Sequence, residues 1–108
     1  MKKIFDIYGS QINDLQLCLK IIESAFDIQF EAHDSSYLGV YYRWGKKYGE
    51  EFILQNNYDE SEREFREKRF FNYKTLLYVN LPSDPDGIRK KLSSFANQLI
   101  FLERKELP

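Results

Sequence analysis

The sequence predicts a two-layer α/β sandwich of the α+β class, with two helices on one face of a mixed, mostly antiparallel sheet of about five to six strands. Two segments carry apolar residues at helical spacing, and about six others alternate or are apolar over the length of a strand. The length of 108 residues suits one domain, residues 1–108, with a single core. The expected order is β-α-β-β-β, a charged excursion, then β-α-β, loosely ferredoxin-like with an inserted hairpin.

The chain begins with a short strand and a long helix. Residues 2–8 alternate before Gly9, which is typical of a strand that ends at a turn. Ser10 or Asn13 is expected to cap the helix that follows. Its apolar stripe consists of Ile12, Leu15, Cys18, Leu19, Ile22, Ala25 and Phe26. The single cysteine, Cys18, is therefore predicted to be a buried core residue.

Three strands are predicted in the central part of the chain. Residues 28–32 alternate between apolar and polar side chains, and residues 33–36 form a polar turn. Residues 37–44 and 50–55 then predict two strands joined by a loop at 45–49, which has Gly at both ends.

The alternation along this hairpin divides its side chains between two faces. The face toward the core is expected to carry Leu38, Val40, Phe52 and Leu54. The opposite face is expected to carry Tyr41, Arg43, Glu51 and Gln55, with Tyr37 beside them. A shift of one residue in the pairing would exchange the two faces.

Residues 56–73, the charged excursion, break the strand pattern. Between positions 59 and 69 there are five acidic and four basic residues, and Phe65 is the one apolar residue. Ser61 and Glu64 have the spacing of a capping box. We therefore expect a short solvated helix or a mobile loop that bulges out of the fold.

The last part of the chain predicts a strand, a helix and a strand. Residues 75–81 are apolar nearly throughout, as in a strand buried on both faces. A helix is expected to begin at Pro85, capped by Asp84 or by the serine before it. Residues 99–104 predict the last strand, and residues 105–108 a frayed end.

Charge and composition restrict the function classes. The formal net charge is −1, with 16 basic and 17 acidic residues, which argues against a dedicated nucleic-acid binder. One cysteine cannot form a disulfide within the chain, so nothing indicates an oxidising compartment. No apolar run has the length of a membrane span, and the N-terminus lacks the pattern of a signal peptide. We expect a cytoplasmic protein that is not in a membrane.

Catalysis and metal binding have little support in the sequence. His33 is the only histidine, and Cys18 lies on the predicted buried face of its helix. Glu50 and Glu51 are adjacent on a strand and so point to opposite faces. No Gly-rich phosphate loop precedes a helix. We predict a non-enzymatic protein without catalytic residues, metal or cofactor.

Binding is better supported, because no element is predicted to cover the sheet face that carries Tyr41 and Arg43. Tyrosine and arginine among charged residues are typical of protein–protein hot spots. Cross-strand pairing that only stabilises the sheet is an equally open interpretation. Asp34, Asp59 and Glu60 are placed in loops that flank this face. A small nucleic-acid-binding module that stacks bases on the aromatic face is the alternative function.

Three segments resemble a group of small bacterial immunity proteins, which protect cells from the C-terminal toxin domains of contact-dependent growth-inhibition and related polymorphic toxin systems. They are DSSYLGVYYRWG (34–45), GEEFILQNN (49–57) and LLYVN (76–80), and the similarity covers roughly residues 30–80. The resemblance implies a cytoplasmic antitoxin that binds one cognate toxin domain, often a nuclease, and blocks it. Its implied contact residues are Asp34, Tyr37, Tyr41, Arg43, Glu51 and Gln55.

The charged excursion adds four acidic candidates for toxin contact, which are Asp59, Glu60, Glu62 and Glu64. Acidic side chains can occupy a site built for phosphate, as expected of an inhibitor of a nuclease. The sequence leaves the oligomeric state open, since an edge strand can pair with a second copy.

Overall fold

A computed structural model describes residues 2–35, 39–95 and 98–108, which contain two helices and eight strands. The helices are α1 (Leu15–Phe26) and α2 (Pro85–Ser93). The strands of the main sheet are β1 (Lys3–Ser10), β2 (Glu31–Ser35), β3 (Gly39–Gly45), β4 (Glu51–Asn56), β7 (Thr75–Asn80) and β8 (Ile100–Leu107). The charged excursion holds β5 (Tyr58–Asp59), β6 (Glu64–Phe65) and a 3₁₀ turn (Lys68–Phe70).

The main sheet has the order β2-β3-β4-β7-β1-β8. Its two helices lie on one face, so the predicted α+β sandwich is confirmed. Every neighbouring pair is antiparallel, so the sheet is not mixed. Each helix connects two strands that run in the same direction but are not neighbours in the sheet. Three strands lie between β1 and β2, which α1 connects, and β1 lies between β7 and β8, which α2 connects. Strands β8-β1-β7-β4 have the ferredoxin-like order, and β2 and β3 form the inserted hairpin.

The core lies between this sheet and the two helices. It contains Cys18, Leu19 and Ile22 of α1, Ile88 and Leu92 of α2, and Tyr8, Phe52, Leu54, Leu77 and Val79 of the sheet. Cys18 is fully buried as predicted, and burial raises the pKa of its thiol. The helical spacing of the apolar residues therefore identified the packed face of α1.

The helix caps were predicted in part. The Asp14 carboxylate accepts a hydrogen bond of 3.1 Å from the backbone N–H of Leu17 and caps α1, so the predictions of Ser10 and Asn13 were wrong. Ser10 is the last residue of β1, because that strand pairs with β7 for two residues beyond its predicted end. The helix α2 begins as predicted, with Asp84 as its cap.

Two segments predicted as irregular are strands. Residues 33–35 belong to β2, which pairs with β3 from Glu31 opposite Arg43 to Ser35 opposite Gly39. The predicted frayed end continues β8, in which Leu107 pairs with Lys3. In both cases backbone pairing at a sheet edge extends a strand through polar residues, which local propensity disfavours.

The predicted division of the β3–β4 hairpin into two faces is confirmed for the residues described. Tyr42 pairs with Leu54 on the helix side, whereas Tyr41 pairs with Gln55 on the other side. Val40 departs from its predicted burial, since 49% of it is exposed opposite Asp34 near the end of the strand. The predictions for Tyr37 and Leu38 lie outside the described residues.

The charged excursion does not bulge out of the fold as predicted but folds back over the sheet. Its anchor is Asn57, whose side chain is fully buried. The Asn57 amide donates to the carbonyl oxygens of Phe70 (2.9 Å) and Tyr73 (3.0 Å) and accepts from the Glu67 N–H (2.9 Å). One buried side chain therefore satisfies three backbone groups of the returning chain.

The start of the excursion is a small hairpin rather than the predicted capped helix. Asp59 accepts hydrogen bonds from the backbone N–H groups of Ser61 and Glu62, at 3.0 and 3.2 Å. The Ser61 hydroxyl donates to the same carboxylate at 2.7 Å. This turn competes with the predicted capping box of Ser61 and Glu64, because it places Glu64 in β6 opposite Asp59.

A buried ion pair joins the sheet to α2. The Arg104 guanidinium donates to the Asp6 carboxylate through Nε (2.9 Å) and Nη2 (3.0 Å), and Nη1 lies 3.3 Å from Asp86 Oδ1. Asp6 is 1% exposed, and its hydrogen bonds are the main cause that raises the pKa of Arg104. Asp6 and Arg104 are direct neighbours on β1 and β8.

Loss of the Asp6 carboxylate should destabilise the fold strongly, because it leaves the Arg104 charge without its buried partner. We expect Asp6→Ala to lower the free energy of unfolding by about 3 kcal/mol, measured by urea denaturation. Glu106→Ala removes an exposed pair with Lys2 and should cost less than about 0.5 kcal/mol. Equal losses in the two variants would contradict this account.

Asn57→Ala should release the charged excursion from the sheet, since three backbone groups lose their partner. We expect a loss of about 2–3 kcal/mol in the free energy of unfolding. Amide hydrogen exchange between residues 64 and 74 should accelerate more than exchange in α1. The exposed Asn72→Ala is the control and should change stability by less than about 0.5 kcal/mol.

Candidate partner-binding face

We call the sheet face opposite the helices the open face. The strand pairing identifies its residues, because side chains of paired residues lie on the same face. It carries Glu31, His33, Tyr41, Arg43, Glu51, Ile53, Gln55, Leu76, Tyr78, Asn80, Phe5, Ile7, Glu103, Lys105 and Leu107. Two shallow depressions occupy most of this face.

The first depression lies over β3 and β4 and has a volume of about 490 Å³. Its lining consists of Tyr41, Arg43, Lys47, Glu51, Ile53, Gln55, Tyr78 and Asn80. Arg43 Nε lies 2.8 Å from Glu51 Oε2, although its N–H is not aimed for a hydrogen bond. The Tyr41 ring is stacked on His33 of β2, with 5.1 Å between centroids and 12° between planes. The predicted residues Tyr41, Arg43, Glu51 and Gln55 are therefore brought together.

The second depression, of about 410 Å³, lies on the other side of β7. Phe5 and Ile7 form its floor with the side chains of β8 beyond them. The charged excursion forms its wall through Glu67 and Arg69. Tyr78 and Asn80 line both depressions, so they mark the boundary where the two meet.

The side chains of that boundary are held by hydrogen bonds. The Tyr78 hydroxyl donates to Glu67 Oε1 at 3.0 Å, and Asn80 Nδ2 donates to Glu51 Oε1 at 3.1 Å. Burial, followed by the Glu67 charge, raises the pKa of Tyr78, so its hydroxyl stays protonated. Glu51 is thus contacted from both sides, by Asn80 and by Arg43. The face is organised before any partner arrives.

Tyr78 and Asn80 were missed because the strand was expected to be buried on both faces. Leu76, Leu77 and Val79 are buried, but Tyr78 and Asn80 are only half-buried. The alternation of Leu77 and Val79 with these two polar groups was a signal that could have identified them. Leu76 is fully buried although it pairs with Gly9 and Gln55 on the open side.

Asp34 is separated from the other predicted contact residues. It lies on β2 opposite Val40, on the face that the helices share, and not in a flanking loop. The expected position was wrong because residues 33–35 pair with β3 instead of turning. Tyr37 lies outside the described residues.

The four acidic candidates of the charged excursion differ in their surroundings. The Asp59 side chain is mostly buried, and its carboxylate lies 3.3 Å from the Arg66 guanidinium. The hydrogen bond from the Ser61 hydroxyl, followed by that from the Glu62 N–H, lowers the pKa of Asp59. Glu60, Glu62 and Glu64 are exposed, and Glu64 lies 3.1 Å from Lys68. Asp59 is therefore a structural residue of its turn, whereas the other three face solvent.

Neither metal-ligand clusters nor spanning helices are found in the described part of the chain. No three His, Cys, Asp or Glu side chains within it are grouped as metal ligands would be. None of its helices combines the length and apolar character needed to cross a bilayer. His33 Nε2 lies 3.7 Å from Glu31, at the edge of the open face.

The charged excursion is tied to β8 by a two-pronged ion pair. Arg69 Nη1 and Nη2 donate to the two carboxylate oxygens of Glu103 at 2.7 and 2.9 Å. The Arg69 hydrogen bond lowers the pKa of Glu103. Tyr73 packs against β1 on the open face, where a Cβ atom on Gly9 would come within 2.9 Å of the Tyr73 ring. The excursion thus rests on the open face along β1, β7 and β8.

The Arg69–Glu103 pair should respond to acid. Because the pKa of Glu103 is lowered in the folded state, the pair stabilises the fold above the ordinary glutamate pKa of about 4.3 and loses that effect as the pH falls through the lowered value. An NMR titration of the Glu103 carboxyl should give a pKa below that ordinary value, and Arg69→Ala should raise it. A pKa unchanged by Arg69→Ala would contradict the assignment.

A scan of the chain against protein-family models finds no match, and a search of curated proteins finds none. The structural evidence that bears on function is the open face. That face combines fixed aromatic, amide and charged groups with two adjoining depressions.

Proposed function

We propose that this chain is an immunity protein, a non-enzymatic antitoxin that neutralises a cognate toxin domain in the cytoplasm by stoichiometric binding through the open face. The observation that carries the proposal is the pair of depressions that meet at Tyr78 and Asn80. The resemblance of residues 30–80 to such immunity proteins supports it. The toxin domain is proposed to be a nuclease.

The contacts on the open face suit a protein partner. Tyr41 is held by stacking on His33, and Arg43 by its ion pair with Glu51. Side chains fixed in this way lose little conformational entropy when a partner binds. Tyrosine and arginine are also the residues that most often dominate the energy of protein interfaces.

The exposed acidic residues supply the electrostatic part of the proposal. Glu60, Glu62 and Glu64 project from the β5–β6 hairpin next to the end of β4. A nuclease binds phosphate with positive charge, so these carboxylates would be attracted to its substrate surface. Binding there would exclude the nucleic acid from the toxin.

The alternative of a nucleic-acid-binding module has weaker support. Both arginines that line the depressions are paired with carboxylates, Arg43 with Glu51 and Arg69 with Glu103. One face of the Tyr41 ring is occupied by His33. A phosphate chain would have to displace these internal contacts, and the net charge of −1 gives it no general attraction.

Co-expression with the toxin domain encoded by the neighbouring gene should give a one-to-one complex and restore growth. We expect Tyr41→Ala combined with Arg43→Ala to weaken toxin binding at least about tenfold in calorimetry, since both are central aromatic or arginine contacts. The control, Lys20→Ala with Ser24→Ala, also removes one positive charge but lies on the exposed side of α1. It should bind within about twofold of wild type.

The same proteins separate the two functions. A wild-type chain that fails to bind the toxin domain or protect cells would refute the immunity proposal. Tight binding of a single-stranded RNA of about 20 nucleotides, weakened by salt and by Tyr41→Ala, would support the nucleic-acid module instead.

A further inference from the structure

The turn between β3 and β4, residues 45–49, contains one glycine that the backbone requires and one tyrosine that it does not. It is closed by a hydrogen bond from the Gly49 N–H to the Lys46 carbonyl oxygen (2.9 Å) and by one from the Lys46 N–H to the Glu50 carbonyl oxygen (3.0 Å). Gly45 has a φ of +104°, and a Cβ atom there would clash with the Glu50 carbonyl oxygen. Glycine at this position is therefore explained by the backbone.

Tyr48 is not explained in the same way. It is the third residue of the four-residue turn from Lys46 to Gly49 and has a φ of 65°, a conformation that favours Gly or Asn. A tyrosine there is strained. Its side chain is 88% exposed, so no burial within the chain offsets the strain. Backbone strain that no contact within the chain offsets points to a contact with another molecule.

The turn is also positively charged and joined to the open face. Lys46 and Lys47 are exposed at its apex, and Lys47 Nζ lies 5.3 Å from the centre of the Tyr48 ring. Lys47 also lines the first depression, beside Arg43. The turn is thus a cationic, aromatic extension of the surface proposed to bind the toxin.

The opposite end of β4 is acidic. The strand begins after this turn at Glu51 and ends at Asn56, where the charged excursion leads to Glu60 and Glu62. Six residues of strand span roughly 20 Å. The surface therefore has a positive end and a negative end, so it matches a partner that also presents both signs.

We propose that the β3–β4 turn inserts into a concave, carboxylate-lined site on the toxin domain. Tyr48 contacts the apolar wall of that site, and Lys46 and Lys47 pair with its carboxylates. This inference rests on the proposed function and names the chemistry of the partner. Nuclease sites that hold divalent cations use clustered carboxylates of this kind, surrounded by positive charge for the substrate. The positive turn then matches the carboxylates of the nuclease site, and the acidic end of the surface matches the positive charge around them.

The decisive variant is Tyr48→Asn, because strain and binding respond to it in opposite directions. Asn adopts a positive φ readily, so the melting temperature of the isolated chain should rise by a few degrees. Affinity for the neighbouring-gene toxin domain should fall at least about tenfold, because the aromatic contact is lost. Tyr48→Phe keeps the ring and should bind within about threefold of wild type.

A charge-reversal pair tests the lysines. Lys46→Glu with Lys47→Glu should slow association at least about tenfold and weaken its dependence on salt. Lys20→Glu with Lys90→Glu makes the same change in net charge on the helix side and should have less than about a threefold effect. If wild type binds and both turn variants bind within about twofold of it, the turn proposal is overturned while the immunity function stands. If wild type does not bind at all, both fall.

Discussion

The buried amide of Asn57 is the interaction on which the position of the charged excursion over the open face depends. By satisfying backbone groups of Glu67, Phe70 and Tyr73, it holds a charged segment against the sheet. None of the aromatic side chains of that segment is fully buried, so hydrophobic burial alone does not position it. Without the amide, the second depression would lose the wall that Glu67 and Arg69 form.

The two faces of the sheet are stabilised by different physics. The helix face is an apolar core that ends at one buried ion pair, Asp6 with Arg104. The open face is held by a chain of polar contacts in which Arg43, Glu51 and Asn80 are consecutive members. A polar, pre-arranged surface of this kind can release its water and bind a partner without rearranging the core.

Local patterns predicted the parts of the fold that depend on periodicity. Helical spacing identified the packed face of α1, and the alternation of Tyr41 and Tyr42 assigned the two sides of the β3–β4 hairpin. Side chains that act over long sequence distances were not predictable in this way. Asparagine is a residue type that is common in turns, so Asn57 gave no sign of a buried role. Its hydrogen-bond partners are 10 to 16 positions away in the sequence. Asp34 was misplaced because pairing with β3, not its own turn propensity, decides its conformation.

The strand order also has a consequence for the order of folding. β1 is synthesised early, but its two neighbours are β7 and β8, which come from the other end of the sequence. The β2–β3–β4 meander has its own local pairs and is expected to form before β1 is enclosed. Tyr78 and Asn80 reach β4 only when β7 docks between β4 and β1. The surface that we propose binds the toxin is therefore completed late in folding, and a nascent chain that has only the meander lacks it.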